Sequence, residues 1–138
     1  MRILTLAVLC IAPFVAAHAG QDSISLPAGA RIYISPMEWQ MDQYIVSEIR
    51  TQRLPVQLVA TETQADFVMT GFADKLSSHF LSPGRCFQVK IATVGSGRTV
   101  WTGEGDDYAT IFGRLRSHGP ARAAKGIVGS LRNRFFRK

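Results

Sequence analysis

One segment, residues 31–72, constrains the fold more than any other part of the sequence. Its pattern predicts a short strand at 31–35, a helix at 38–54, and two further strands at 56–60 and 65–72. A strand, a crossover helix and a second strand form a βαβ unit, in which the strands are parallel and the connection is right-handed. We therefore expect the rest of the chain to pack onto a βαβ unit.

The spacing of apolar residues supports these assignments. Ile32 and Ile34 alternate with more polar residues, as in a strand with one buried face. Met41, Ile45 and Ile49 recur every four residues, which is the spacing of the apolar stripe on an amphipathic helix. The first two elements are thus predicted to bury one face each.

The start of the first helix has two interpretations. Residues 35–38, Ser-Pro-Met-Glu, have the form of a capping box, in which Ser35 accepts from first-turn amides and Glu38 reaches back. In the alternative, residues 36–38 form a loop and the helix begins near Gln40.

The next two strands differ in pattern. Pro55 ends the helix, and residues 56–60 are a compact apolar run that predicts an interior strand. Residues 65–72 carry apolar side chains on both faces, which predicts a central strand.

The second half of the chain predicts a hairpin and a final helix. Residues 87–92 alternate apolar and polar, 95–97 (Gly-Ser-Gly) form a turn, and 99–103 make the return strand. The basic residues 113–119 are predicted to be irregular. A last amphipathic helix opens at Pro120.

This order, β-α-β-β-β-β-α, predicts an α/β (α+β) fold. Because each helix has one apolar face, we expect a two-layer sandwich, with a mixed five-stranded sheet and both helices on one face.

The first nineteen residues predict a secretory signal peptide. A basic second residue precedes an apolar run at 3–17, and Ala-His-Ala at 17–19 is a small-x-small cleavage site. The run is shorter than the roughly 20 residues of a membrane-spanning helix. We expect residues 1–19 to be a signal peptide, 20–30 a linker and 31–138 one α/β domain, exported to the periplasm or cell envelope.

The two cysteines are separated by the predicted cleavage site. Bulky Leu9 precedes Cys10, where a lipid-modified cysteine follows a small residue, so lipidation is the disfavoured alternative. After cleavage only Cys86 remains, which excludes an intramolecular disulfide. Two states stay open for Cys86: a buried, inert thiol or an intermolecular disulfide.

Charge is distributed unevenly along the chain. Residues 20–112 carry seven basic and ten acidic residues, a net charge of −3, whereas residues 113–138 carry eight basic residues and no acidic one. Such asymmetry favours an anionic partner for the C-terminal helix. The candidate contacts on this basic helix are Arg122, Lys125, Arg132, Arg134, Arg137 and Lys138.

Three motifs resemble a known group of proteins. They are Ile-Tyr-Ile-Ser-Pro-Met at 32–37, Ala-Asp-Phe-Val-Met-Thr-Gly at 65–71, and Gly-Arg-Thr-Val-Trp at 97–101. They resemble small uncharacterised secreted or periplasmic α/β proteins of envelope-bearing bacteria. More distantly, the chain is similar to the N-terminal α/β domains of the curli-secretion lipoprotein and the Tol-system propeller protein. The resemblance covers residues 31–103 and implies no catalytic residue; the basic C-terminal region departs from the pattern.

Two polar motifs offer candidate binding chemistry, and each has a simpler interpretation. Residues 95–99 present glycine amides, but they join two strands and open no helix, so a hairpin turn is favoured over a phosphate loop. Glu104, Asp106 and Asp107 lack the spacing of a calcium loop, and adjacent aspartates in a strand point to opposite faces. A solvated acidic turn is the favoured interpretation.

The remaining candidates are isolated side chains. His79, His118 and Cys86 are not at metal-ligand spacing, although a Cys–His nucleophile pair can assemble in space. Asp66 is predicted to accept a local backbone N–H and to fix the turn that precedes its strand.

The sequence therefore predicts no catalytic, cofactor or metal site, and no cofactor. We expect a non-enzymatic periplasmic or envelope-associated protein that binds another envelope component. Two alternatives stay open: binding to an anionic membrane surface or lipid through the basic helix, and a small hydrolase using Cys86 or His79. A homodimer through an apolar patch of Val59, Val68 and Phe72 on the open sheet face is a further prediction. Export disfavours nucleic acid as a partner.

Overall fold

The computed structural model describes residues 25–75, 85–111, 114–117 and 119–137. The predicted signal peptide, with Cys10, lies outside the described residues. So do His79 in the predicted loop, His118 and Lys138.

In the first half of the chain, the strands and the helix occur in the order that the sequence predicts. In order, the elements are β1 (Arg31–Ile34), α1 (Met41–Thr51), β2 (Gln57–Val59), β3 (Phe67–Lys75), β4 (Arg85–Thr93), β5 (Thr99–Asp106), β6 (Tyr108–Ile111), β7 (Arg114–Ser117) and α2 (Pro120–Phe135). Five strands form a mixed sheet in the order β2-β1-β3-β4-β5, and β6 pairs with β7 in a separate two-stranded sheet. β1 is parallel to both of its neighbours, and β3, β4 and β5 form an antiparallel meander. The five-stranded α+β fold is confirmed.

Both helices bury their apolar stripes against one face of the sheet, here called the covered face. The sheet contributes buried side chains from four strands: Ile32, Phe67, Met69, Phe87, Val89, Ile91 and Trp101. The helices contribute Met41, Ile45 and Ile49 from α1, and Ala123, Ala124, Ile127, Val128 and Leu131 from α2. Removing a large aliphatic side chain from water contributes about 2 kcal/mol, so this single cluster supplies most of the driving force for folding.

The start of α1 follows the second interpretation, and the predicted capping box is wrong. Glu38–Gln40 form a short 3-10 turn, in which Trp39 has φ 59° and Gln40 has φ 57°. α1 begins at Met41, and its N-cap residue, Gln40, makes no side-chain capping hydrogen bond. Two successive left-handed residues break the helical path, so the helix cannot extend back to Glu38. Instead the Glu38 carboxylate accepts a hydrogen bond from the Ala73 backbone N–H at 3.3 Å.

The position of β2 differs from the prediction. Its apolar run predicted an interior strand, but β2 lies at one edge of the sheet and contains three residues. Leu58 and Val59 are only half-buried. The central position of β3 is confirmed, because β3 has two strands on either side. The short apolar run therefore predicts that β2 is partly buried by the helices, but it does not predict how many strands lie beside β2.

The basic segment predicted to be irregular contains strand β7. β7 pairs antiparallel with β6, from Tyr108 opposite Ser117 to Ile111 opposite Arg114. Four residues of the sequence Arg-Leu-Arg-Ser have the period-two alternation of a strand, but the run is too short and basic to stand out.

α2 lies unusually close to β5. A Cβ atom added at Gly105 would lie 2.5 Å from the Ala123 carbonyl oxygen and 3.0 Å from Ile127. Such a distance to backbone is shorter than van der Waals contact, so only glycine allows this approach. The helix begins at Pro120, as the sequence predicts.

The segment before β1, in the predicted linker, contributes to the core. Leu26 and Ala30 are buried, and the Gly29 N–H donates to the Pro55 carbonyl oxygen at 2.6 Å. This contact ties the entry of β1 to the end of α1.

Candidate functional site

The sheet face opposite the helices, here called the open face, carries the principal candidate site. The register of β3, β4 and β5 places Phe72 opposite Gln88, Gln88 opposite Glu104, and Lys90 opposite Thr102. Because side chains alternate along a strand, these residues share one face, and the buried Phe87, Val89 and Ile91 share the other. The Phe72 side chain is 56% exposed, and its four polar neighbours are also exposed.

A cavity of about 650 Å³ lies against these strands. Its lining comes from three adjacent strand segments, 70–72, 88–90 and 102–104, and also from Ser130 of α2, so the cavity is not confined to the open face. The lining includes an ammonium, a carboxylate, an amide and hydroxyl groups beside the Phe72 ring. Such a surface can both donate and accept hydrogen bonds and can pack an apolar group.

Four polar side chains of the open face have no partner among the described residues. Within the described residues, no hydrogen bond or ion pair involves the side chains of Gln88, Lys90, Thr102 or Glu104. Their hydrogen-bonding capacity is therefore directed to solvent or to a partner.

The predicted apolar patch is divided. Val59, Val68 and Phe72 do share the open face, because Tyr33 is opposite both Val59 and Val68. However, Val59 and Val68 are half-buried, and Thr70 separates Val68 from Phe72 along β3. The open face thus combines one exposed aromatic ring with polar neighbours and is not a continuous apolar surface.

Of the three acidic residues near the end of β5, Glu104 and Asp106 lie on the open face. Glu104 and Asp106 are both exposed, and Asp106 is opposite Cys86. Asp107 points elsewhere and is 3% exposed, so the prediction of a solvated turn is wrong for this residue. Its carboxylate accepts a hydrogen bond from the Arg85 backbone N–H at 2.8 Å, which fixes the first residue of β4. Within the described residues, no group of three or more potential ligands could hold a metal ion.

The basic helix presents its charges to solvent. The described members of the predicted set, namely Arg122, Lys125, Arg132, Arg134 and Arg137, are all exposed. The Arg134 guanidinium lies 5.9 Å from the centre of the Phe135 ring, and Phe135 contacts Phe136 at 6.3 Å between ring centres. No ion pair engages these basic side chains within the described part of the chain. α2 therefore ends in a cationic surface with two half-buried aromatic rings.

Asp66 has a different partner from the predicted one. Its carboxylate accepts hydrogen bonds from the Arg31 side chain, at 2.7 Å and 3.1 Å, and a longer one from the Arg31 backbone N–H. These bonds lower the pKa of Asp66 and raise the pKa of Arg31. The prediction of a local turn contact is wrong, because the two residues are 35 positions apart; the pair joins the start of β1 to the start of β3.

Trp39 forms a contact that the sequence did not suggest. The Arg85 guanidinium stacks over the indole ring at 3.5 Å from its centre, and Trp39 is 56% exposed. Sequence patterns do not specify which arginine meets an exposed tryptophan, since the two are 46 residues apart. The contact couples the turn before α1 to the first residue of β4.

The predicted Cys–His nucleophile pair is not tested by the described residues. Cys86 is half-buried near one end of β4, and both His79 and His118 lie outside the described part. No described helix is long and apolar enough to cross a membrane.

Comparison with known proteins identifies the fold. No protein-family model matches the chain, and no curated protein matches it in sequence. A point variant of the PelC dodecamer from Paraburkholderia phytofirmans has a TM-score of 0.55 at 14% identity, over 78% of this chain and 92% of the PelC chain. The LpoB C-terminal domain from Salmonella enterica has a TM-score of 0.43 at 11% identity, over 62% of this chain and 85% of that domain.

A lipoprotein from Neisseria meningitidis has a TM-score of 0.43 at 10% identity, over 76% of this chain and 92% of its own. At such identities a likeness describes the fold alone. None of these three structures is the curli-secretion lipoprotein or the Tol-system propeller protein, so that part of the sequence resemblance stays a prediction.

Proposed function

We propose that this chain is an exported, envelope-associated α/β domain that binds another envelope component through its open face and catalyses no reaction. The observation that carries this proposal is the exposed Phe72 ring beside a cavity lined by polar side chains that have no partner among the described residues.

The open face differs from an ordinary solvated sheet surface in one respect. An antiparallel sheet with one face in water normally alternates apolar residues inside with polar residues outside. Gln88, Lys90 and Thr102 follow that rule, but Phe72 places a large apolar ring on the outer side. An aromatic ring surrounded by polar groups is typical of the centre of a protein-binding surface.

The similar fold of PelC adds one partner to be tested. The PelC structure is a dodecamer. A second copy of this chain therefore belongs among the partners to be tested, beside other envelope proteins.

Site-specific photocrosslinking tests the proposal. A photoreactive phenylalanine analogue is introduced at Phe72, and a matched variant carries it at Ser47, which is exposed on α1. Both variants are irradiated in the envelope fraction of the organism that makes the chain. We expect a discrete adduct from position 72 and none from position 47. The same adducts from both positions, or none from either, would show that the open face is not a specific binding surface.

A second candidate function is binding to an anionic membrane surface. The exposed arginines of the basic helix, with Phe135 and Phe136 between them, favour it. Basic side chains near an anionic surface contribute about 1 kcal/mol each, and salt screens that contribution.

Vesicle co-sedimentation tests this second function. Binding to vesicles of phosphatidylglycerol and phosphatidylcholine should fall at high salt and in the variant Arg132→Glu with Arg134→Glu. The control, Arg50→Glu with Arg53→Glu, makes the same change in net charge at and just beyond the end of α1 and should bind as the unmodified chain does. Equal loss in the two variants would indicate a non-specific effect of net charge.

A further inference from the structure

Among the described residues, two surfaces of opposite charge form no ion pair. Glu104 and Asp106 are exposed on the open face, at the edge strand β5. Arg132, Arg134 and Arg137 are exposed at the end of α2, which packs on the covered face. Within the described residues, the one ion pair is Arg31–Asp66, so neither surface neutralises the other.

We infer that the partner of the open face is a second copy of this chain, whose α2 end contacts Glu104 and Asp106. This inference rests on the proposed function, because it names the occupant of the same face. It commits to a protein contact, not a membrane, for the C-terminal arginines.

Charge complementarity favours a second copy. Residues 20–112 have a net charge of −3 and residues 113–138 carry eight basic residues, so one copy's C-terminal region is attracted to another copy's body. Complementary potentials accelerate association and select the orientation of the two partners. Lys90 lies on the open face as well, but its single charge leaves an excess of carboxylate there.

Apolar groups match at the same contact. The open face presents the Phe72 ring, and the end of α2 presents Phe135 and Phe136, which are half-buried in one copy. Arginines beside aromatic rings, as Arg134 lies beside Phe135, occur often at the centre of protein interfaces. The contact can therefore bury apolar area as well as pair charges.

The two surfaces lie on opposite layers of the sandwich, which determines the symmetry. A contact between different surfaces of two copies is head-to-tail, and each copy keeps one free surface of each kind. Repetition of this contact generates a closed ring where the rotation permits and an open chain otherwise. A two-fold dimer through the open face alone is not what this arrangement predicts.

The test uses the mature chain, residues 20–138, in sedimentation velocity at increasing concentration. The open-face variant is Glu104→Lys with Asp106→Lys, and the helix variant is Arg132→Glu with Arg134→Glu. We expect each to weaken self-association about tenfold or more, because each replaces attraction by repulsion at several pairs. The controls Glu62→Lys, and Arg50→Glu with Arg53→Glu, change exposed charges elsewhere and should assemble as the unmodified chain does.

Mixing the two variants distinguishes a head-to-tail contact from every symmetric one. The open-face variant retains a normal helix end and the helix variant a normal open face, and their two reversed surfaces are opposite in charge as well. The mixture should therefore assemble in alternating order beyond a heterodimer, whereas a two-fold contact that pairs both surfaces would stop at a heterodimer. The variant that carries all four substitutions restores opposite charges and should assemble by itself.

Other outcomes overturn the inference. These are a chain that stays monomeric at about 100 µM, assembly that survives both charge reversals, or a mixture that stays monomeric or stops at a heterodimer. The proposed function is tested separately: a photocrosslink from position 72 to a different protein would support it while refuting the second copy as partner.

Discussion

Gly105→Ala tests the close approach of α2 to β5. The added Cβ would lie 2.5 Å from the Ala123 carbonyl oxygen, which is a backbone atom and cannot rotate away. To restore a contact of about 3.2 Å, the helix has to move by roughly 0.7 Å, and overpacking of this kind costs about 1–3 kcal/mol. We expect a loss near the upper end, about 3 kcal/mol, because Ile127 is in contact at the same point.

The measurement is urea unfolding followed by circular dichroism, with thermal unfolding as a second readout. A domain of this size loses about 4 °C in Tm for each kcal/mol, so Tm should fall by about 12 °C. Gly126→Ala is the matched control: it is exposed inside α2, and its Cβ would have no atom within 4 Å. The free energy of unfolding of that variant should rise by about 0.5–1 kcal/mol, because alanine has a higher helix propensity than glycine. A Gly105→Ala chain within about 0.5 kcal/mol of the unmodified one would refute the close packing of α2 on β5.

Three further predictions concern other parts of the fold. Because hydrogen bonds from Arg31 lower the pKa of Asp66, the pair stabilises the fold above the unfolded pKa and loses that effect as pH falls through the folded pKa. Asp66→Asn should therefore flatten the acid limb of the stability profile below about pH 4, measured by urea midpoints. Ile127→Ala, at a fully buried position, should cost about 3 kcal/mol in the same assay, and a loss under about 1 kcal/mol would contradict the assigned core. Gln40→Gly should raise stability by about 0.5 kcal/mol, because glycine adopts φ 57° without the penalty that Gln40 carries; a lower stability would count against that conformation.

The sheet and both helices could be predicted because their signals are local. In β4 apolar and polar residues alternate, and in α1 apolar residues recur every four positions, because each element buries one face. A single core buries the same face along the whole element. The same alternation already placed Gln88 and Lys90 on the face opposite the core. This part of the candidate site was therefore accessible from sequence.

The features that sequence did not reveal are non-local or strained. Asp66 pairs with Arg31, 35 residues away, and the buried Asp107 carboxylate accepts a hydrogen bond from the Arg85 backbone N–H at the start of β4. The edge position of β2 depends on strand order, to which a three-residue apolar run gives no clue. The left-handed turn at Trp39 is held by Arg85 and by the Glu38–Ala73 hydrogen bond, both tertiary contacts.

Because β1 lies between β2 and β3, its position limits the order in which the strands of the sheet can pair. β3, β4 and β5 are consecutive in the chain, so their meander needs only short loop closures and can form early. β1 is made first but pairs with Phe67 and Leu58, both more than twenty residues later, so it is inserted after its partners exist. The strand that emerges first during synthesis is thus completed late, and until then its backbone amides and carbonyls depend on water.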